Sequence, residues 1–288
     1  MIKKNIDDAL KIFHAAVASV KPKKLLQQHL HADEKSIRIG SHSIARADIN
    51  KLLIVAVGKA SAAMAIEAEQ QLGQIIAGGI CVTKYHHGLP LKRLKPVDAG
   101  HPLPDENSLQ AGLEIKALLN SLTENDVVLV LLSGGASALM EELPEGCRLP
   151  DVQQTVDCLI RSGASIHEIN TVRKHISKLK GGGLARAAFP AQIHTLVLSD
   201  VVGDNLDVIA SGPTVPDTSS FTDAAAVLHK YNLWQTIPAD IKHHVDKGLN
   251  NVIAETPKPG DPIFKNCFTT VIGSNKLACL VQPGKRNL

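Results

Sequence analysis

The sequence predicts an α/β fold: a doubly wound, mostly parallel sheet with helices on both faces. Three observations carry that expectation. The run DVVLVLLS, residues 126–133, is apolar on consecutive positions and rich in Val, as a strand covered on both faces requires. Comparable runs at 52–57 and 195–198 recur between stretches of helical periodicity, and strands separated by helices pair in parallel. The three runs leave through small or polar residues, at Gly58-Lys59, Ser133-Gly134-Gly135 and Ser199-Asp200. In open α/β sheets ligands sit beyond the carboxyl ends of the strands, so these exits mark the place to look for a site.

In chain order, Ile6, Leu10, Phe13, Val17 and Val20 recur at helical spacing, and Pro22 suits the start of a second helix to about Leu30. SIRIGSHSIA reads as a hairpin around Gly40 and Ser41. Strands are expected at 51–58, 79–82, 96–99, 126–132, 193–199 and 267–272. The Ala-rich stretch after Lys59 reads as a helix, as do residues 105–120, 151–162, 166–179 and 223–229. Residues 255–262 carry three prolines and a glycine and read as an exposed loop. A helix begun at Ser274 would meet Pro283 and Gly284 after barely two turns.

At 288 residues the chain is long enough for one large domain or two small ones, and its 44% apolar content is enough for a sizeable core. A formal charge of +3 and 3% aromatics argue against nucleic-acid binding. Five cysteines without a Cys-x-x-Cys pair indicate neither a disulfide framework nor a zinc site, and a reducing cytoplasm fits them. The first segment, interrupted by Asp7, Asp8 and Lys11, reads as a surface helix rather than a signal peptide, and no run approaches the ~20 apolar residues that cross a bilayer.

Five segments hold the chemistry. In VAVGKAS, Lys59 stands at a strand exit with Gly58 and Ser61. The P-loop spacing fails, because residue 53 is Leu and residue 60 is Ala, and what remains is a lysine that could neutralise a phosphoryl group or simply be solvated. The turn Ser133-Gly134-Gly135-Ala136-Ser137 offers bare N–H groups to an anion, or is only a tight turn into a helix. In AGHPLPDENS, His101 is held in a proline-stiffened loop, and Asp105 is a candidate N-cap or a second polar group at the same point.

Helical spacing would put Arg173, Ser177 and Lys180 on one face, ended by Gly181-Gly182-Gly183, as a basic stripe for a carboxylate or polyphosphate or as a solvated face. Asp200, Asp204 and Asp207 follow the strand at 195–198 and could hold Mg²⁺ or form turns, and Ser211 lies in a second small-residue turn. No Gly-x-Gly-x-x-Gly, Gly-x-Ser-x-Gly or His-Glu-x-x-His occurs.

Taken together, VAVGKAS (55–61), AGHPLPDENS (99–108), LLSGGASAL (131–139), INTVRKHISKLKGGGLA (169–185), LVLSDVVGDNLDVIASGPT (196–214) and VIGSN (271–275) resemble the class II glycerate 2-kinases. That family joins a Rossmann-like N-terminal α/β domain to a C-terminal MOFRL domain. The resemblance implies ATP-dependent phosphorylation of D-glycerate at its 2-hydroxyl, with Mg²⁺, in a cleft between the two domains. It implies that Lys59 is catalytic, with Asp200 and Arg173. Gly58, Ser61, Ser133, Gly134, Gly135, Ala136 and Ser137 would hold the nucleotide. Lys180, His101 and Ser211 would face the substrate, and Asp200 and Asp204 the metal. Residues 1–275 are expected to form the N-terminal domain, 276–288 an atypical tail, with the MOFRL domain absent and activity in doubt. The expected partners are ATP and D-glycerate, with a homodimer left open and neither membrane nor nucleic acid involved. The alternatives are an anion-binding remnant without turnover and, with less support, a hydroxypyruvate reductase.

Overall fold

A computed structural model describes the backbone of residues 2–280 and the side chains of 5–280. The chain opens with α1 (Ile2–Ser19) and α2 (Pro22–His29), then an antiparallel sheet of β1 (Leu30–Ala32), β2 (Ser36–Ile39) and β3 (His42–Ala45). The expected hairpin is β2–β3, turning at Gly40, whose φ of +59° suits glycine. The main sheet uses β4 (Lys51–Val57), β5 (Ile76–Lys84), β6 (Lys95–Ala99), β7 (Asp126–Ser133), β8 (Gln192–Leu198) and β9 (Cys267–Gly273). Between them lie α3 (Ser61–Leu72), α4 (Glu106–Leu119), the one-turn α5 (Ala136–Leu139), α6 (Leu149–Arg161), α7 (Ile166–His175), α8 (Gly183–Ala188), α9 (Phe221–Lys230) and α10 (Ala239–Leu249), with α11 (Asn275–Cys279) last.

The six strands run parallel in the order β6-β5-β4-β7-β8-β9. From β4 the chain winds outward through β5 and β6, then returns to β7 and winds the other way. This is a doubly wound sheet whose direction reverses between β4 and β7. Side chains alternate faces along each strand, and both faces are covered. Val55, Val57, Val128, Val130 and Leu132 pack with α4 and α8, while Ile54, Ala56, Val127, Leu129 and Leu131 pack with α2 and α3. All eight residues of β7 are buried, which explains its unbroken apolar run.

A third apolar cluster joins α6, α7, α9 and α10 into a helical layer beside the sheet, including Val156, Val172, Phe221, Trp234 and Val245. The helix α10 was not expected from the sequence. Its signal is Ile241, Val245 and Gly248 at helical spacing, the glycine letting α10 press against the Phe221 ring.

The helix expected over 166–179 stops at His175. Beyond it the chain turns, Lys178 N–H donating to Glu142 O at 2.8 Å, Gly181 N–H to Ser211 O at 2.9 Å and Gly182 N–H to Gly212 O at 2.7 Å. The three glycines therefore do not cap α7. Gly181 and Gly182 adopt positive φ, and Gly183 starts α8 against the Lys178 carbonyl, where a Cβ would collide.

Asp105 is the N-cap of α4 in a reciprocal capping box with Ser108. Ser274 caps α11, and the proposed end of that helix at Pro283 and Gly284 lies outside the described residues, as does the tail from 281 onward. All five cysteines are free. Among the described residues no helix is long and apolar enough to cross a membrane.

Candidate active site

Registration of the strands brings their exits together. Val57 lies opposite Leu132 across β4 and β7, and Ser133 opposite Leu198 across β7 and β8. The two central strands must then diverge without room for side chains. Gly58, at φ +133°, lies so close to Ser133 that any Cβ would strike its hydroxyl and carbonyl. Lys59 N–H donates to Gly134 O at 2.9 Å, and Ala60 N–H to Ser133 Oγ at 3.0 Å. Gly58 and the buried Ser133 thus build the turn, and the side chain of Lys59 projects from it.

Around Gly134-Gly135 three charged or polar groups converge. The Asp200 carboxylate, from the exit of β8, covers the face of Gly134 where a Cβ would stand. Lys59 Nζ lies 3.5 Å from Asp200 Oδ2, with both side chains about half exposed. His101 Nε2 and Lys59 Cε are 2.9 and 3.3 Å from the position of a Gly135 Cβ. Burial, and then the charges of Lys59 and Lys84, hold the His101 imidazole below its ordinary pKa against the opposing pull of Asp200. That shift favours the neutral ring. Asp105 accepts from Tyr85 Oη at 2.6 Å while it caps α4, so it stays with the loop rather than the centre.

Ser137 is the partly exposed hydroxyl of this turn, behind buried Ala136. It pairs with Ser211 Oγ at 3.0 Å, which donates to Asn170 Oδ1 at 3.0 Å, and Asn170 Nδ2 donates to Val208 O at 3.2 Å. This chain ties α7 to the glycine turn. Arg173 stands one turn beyond Asn170, partly buried, its side chain making no hydrogen bond or ion pair among the described residues. Burial lowers its pKa, and the nearby Glu141 charge opposes that shift.

Three expected contacts need correction. Ser61 is fully buried and its hydroxyl donates toward Gly58 O at 2.7 Å and Val82 O at 2.8 Å, so it braces the turn and offers nothing to a nucleotide. Ser211 is fully buried and serves Ser137 and Asn170. Lys180 does not share a helical face with Arg173. It is 1% exposed, and its three donors go to Glu141 Oε2 at 2.5 Å, Ser177 Oγ at 3.3 Å and Met140 O at 3.4 Å. No donor is left for a substrate carboxylate. Burial drives its pKa down, with Glu141 opposing.

Among the described residues no three His, Cys, Asp or Glu side chains cluster to hold a metal. Asp204, at φ +55°, donates its backbone N–H to Val201 O at 3.2 Å while its carboxylate has no partner within that set, and Asp207 lies 3.5 Å from Lys174. Asp200 alone meets the glycine turn. Its exposed carboxylate is a hard oxygen donor with free lone pairs, the kind of single ligand Mg²⁺ accepts when phosphates and water fill its remaining positions. The residues fit that ion. Asn170 and Glu141 went unrecognised in the sequence, since nothing local distinguishes a buried amide or carboxylate from a solvated one.

The amino-acid sequence matches a family model over most of the chain. The model is described as a domain of unknown function, DUF4147, and spans residues 8–246. The chain belongs to the DUF4147 family. This DUF4147 chain is 47% identical over 229 residues to the glycerate 2-kinase of Pyrococcus horikoshii, covering 80% of itself and 51% of that protein. It is 39% identical over 251 residues to a putative hydroxypyruvate reductase of Agrobacterium vitis, covering 87% of itself and 52% of the relative. The crystal structure of glycerate kinase from Thermotoga maritima superposes with a TM-score of 0.80 at 39% identity, over 94% of this chain and 59% of that one. The chain spans about half the length of the relatives it matches.

Proposed function

We propose that this DUF4147 chain handles the phosphoryl-transfer chemistry of a D-glycerate 2-kinase: ATP donates its terminal phosphoryl group to the 2-hydroxyl of D-glycerate. The single observation that carries this reading is the meeting of Lys59, Gly134-Gly135 and Asp200 at one point. Phosphoryl transfer needs placement and charge stabilisation more than covalent help. The glycine turn lets phosphates approach backbone N–H groups, and Lys59 places a compact positive charge beside them. Asp200 would hold Mg²⁺ there, which when bound neutralises phosphate oxygens. Arg173, a planar fork without a carboxylate partner among the described residues, suits the glycerate carboxylate. His101, held neutral, is able to accept the hydroxyl proton.

Residues 1–275 form the N-terminal unit in this proposal, and a MOFRL domain, as in the family resembled, completes the cleft. Five free thiols suit a cytoplasmic setting. The test is a coupled assay with ATP, Mg²⁺ and D-glycerate, with the product assigned by phosphorus NMR and the homodimer checked by light scattering of the same sample. Formation of 2-phosphoglycerate supports the reading. A longer homologous chain carrying this segment that binds both substrates yet makes no product removes it.

A second reading, nucleotide binding without turnover, is favoured by the exposure of Lys59 and Asp200, 41% and 54%, since transfer to an acceptor other than water needs a drier centre. It predicts ATP affinity with no phosphoglycerate. A reductase reading fits less well. The β4–α3 turn has no glycine between Gly58 and Gly73, and β5 ends in Lys84 where a dinucleotide site places a carboxylate for the ribose.

A further inference from the structure

A cavity of about 460 Å³ opens between α7, α8, α10 and residues 253–257. That is the size of a small-molecule site. Neither Lys59, His101, Ser137 nor Asp200 borders it, so it is separate from the strand exits.

Its charges are unbalanced. Six lysine or arginine side chains line it against three glutamates. Four of the six already have carboxylate partners: Lys174 has Asp217 at 3.2 Å, Lys180 has Glu141, and Lys116 and Lys178 share Glu142 at 2.6 and 3.9 Å. Arg186 and Lys247 remain. They stand on different elements, α8 and α10, and neither has a carboxylate within 4 Å among the described residues. Arg186 spends one N–H on Glu255 O at 2.9 Å and keeps the rest of its fork.

Phe221, Ile253 and Pro257 give the lining an apolar part. The Phe221 ring sits edge-on to His175 and His244, at centroid distances of 4.7 and 5.7 Å. His244 donates through Nε2 to His175 O at 2.9 Å when its proton is there, which leaves Nδ1 as an acceptor. Burial first, and then the charges of Lys247, His175 and Lys178, lower the His244 pKa against the opposing hydrogen bond to the His175 carbonyl, which favours the neutral ring.

We propose that this cavity is a second ligand site, taking a small metabolite with a phosphate or carboxylate between Arg186 and Lys247 and a compact apolar part over Phe221. The assignment does not depend on the kinase reading.

Phenyl phosphate and benzoate are the probes, and they separate the two anion classes. Calorimetric titration of the Lys59→Ala chain, which removes the lysine of the other site, is compared with the same chain carrying Arg186→Gln and Lys247→Gln. Both changed residues reach solvent, so the fold is retained and a melting curve checks it. At least one probe is expected to bind saturably to Lys59→Ala, and the added changes are expected to weaken it about tenfold or more, as losing charge-assisted hydrogen bonds should. Absence of saturable binding by both probes overturns the site. Binding that ignores the Arg186 and Lys247 changes overturns it equally.

Discussion

The carboxylate of Asp200 occupies the space over Gly134 that any larger residue's Cβ would claim. A residue from the exit of β8 is thereby pressed onto the exit of β7, and Lys59 completes the contact from β4. Gly134→Ala must push Asp200 away. Its φ is not in the left-handed region, so the backbone accepts alanine and the cost falls on the site. The expected result is a loss of ~100-fold in turnover, as for other ångström-scale misplacements. If the chain binds without turnover, ATP affinity shows the loss instead. Calorimetry should find the melting temperature nearly unchanged, and a large drop in melting with function intact would refute the argument.

Lys59→Met removes the lysine that meets Asp200 at the glycine turn. The half-exposed pair with Asp200 contributes about 0–1 kcal/mol to stability, so folding should hardly notice. Catalytic or phosphate-binding strength should fall ~100-fold or more, as with other preorganised charges at a transferring group. Lys59→Arg should rescue only part of it, because a broad fork replaces a compact ammonium. Urea denaturation and steady-state kinetics on the same preparations separate the two effects.

The parts of the fold legible in the sequence are those where one physical demand dominates a stretch. Residues 126–133 had to be apolar throughout because both faces of β7 are covered, and that reads directly as a central strand. Lys59, Gly134 and Asp200 stood out because each follows such a strand. Lys180 was misread for a different reason. Its spacing from Arg173 is helical, but the path after His175 is decided by Glu142 O and Glu141, 36 to 39 residues away in sequence. Ser61 and Ser211 show the same limit, since a hydroxyl that braces two carbonyls or a buried amide is spelled like one that meets a ligand.

That buried pair can be tested by its asymmetry. Lys180→Met leaves Glu141 as an uncompensated carboxylate, 3% exposed and with Oε1 already lacking a partner. Breaking one member of such a pair costs ~3–5 kcal/mol, whereas replacing both with apolar residues is often close to neutral. Lys180→Met should therefore lower the urea midpoint sharply, and adding Glu141→Leu should recover most of it. If the double variant is no more stable than the single one, the pair does not act as described.

Acid sensitivity should originate partly on β8, next to the edge strand β9. His194 is 2% exposed between the rings of His42 and Phe268, with Nε2 unbonded. Burial first, and then the His42 charge, lower its pKa from 6.5 to about 4. The folded state thus prefers neutral imidazole, and the unfolded chain takes up a proton at higher pH. The stabilisation is fully present above about pH 6.5 and is lost as pH falls toward 4. Linkage puts the total on the order of 3 kcal/mol. His194→Gln keeps a polar side chain that does not titrate in this window. Urea midpoints measured from pH 7 down to 4.5 should decline more steeply for the parent chain than for that variant. Parallel declines would show that the proton enters elsewhere, with His29 and His244, also depressed by burial, the next groups to replace.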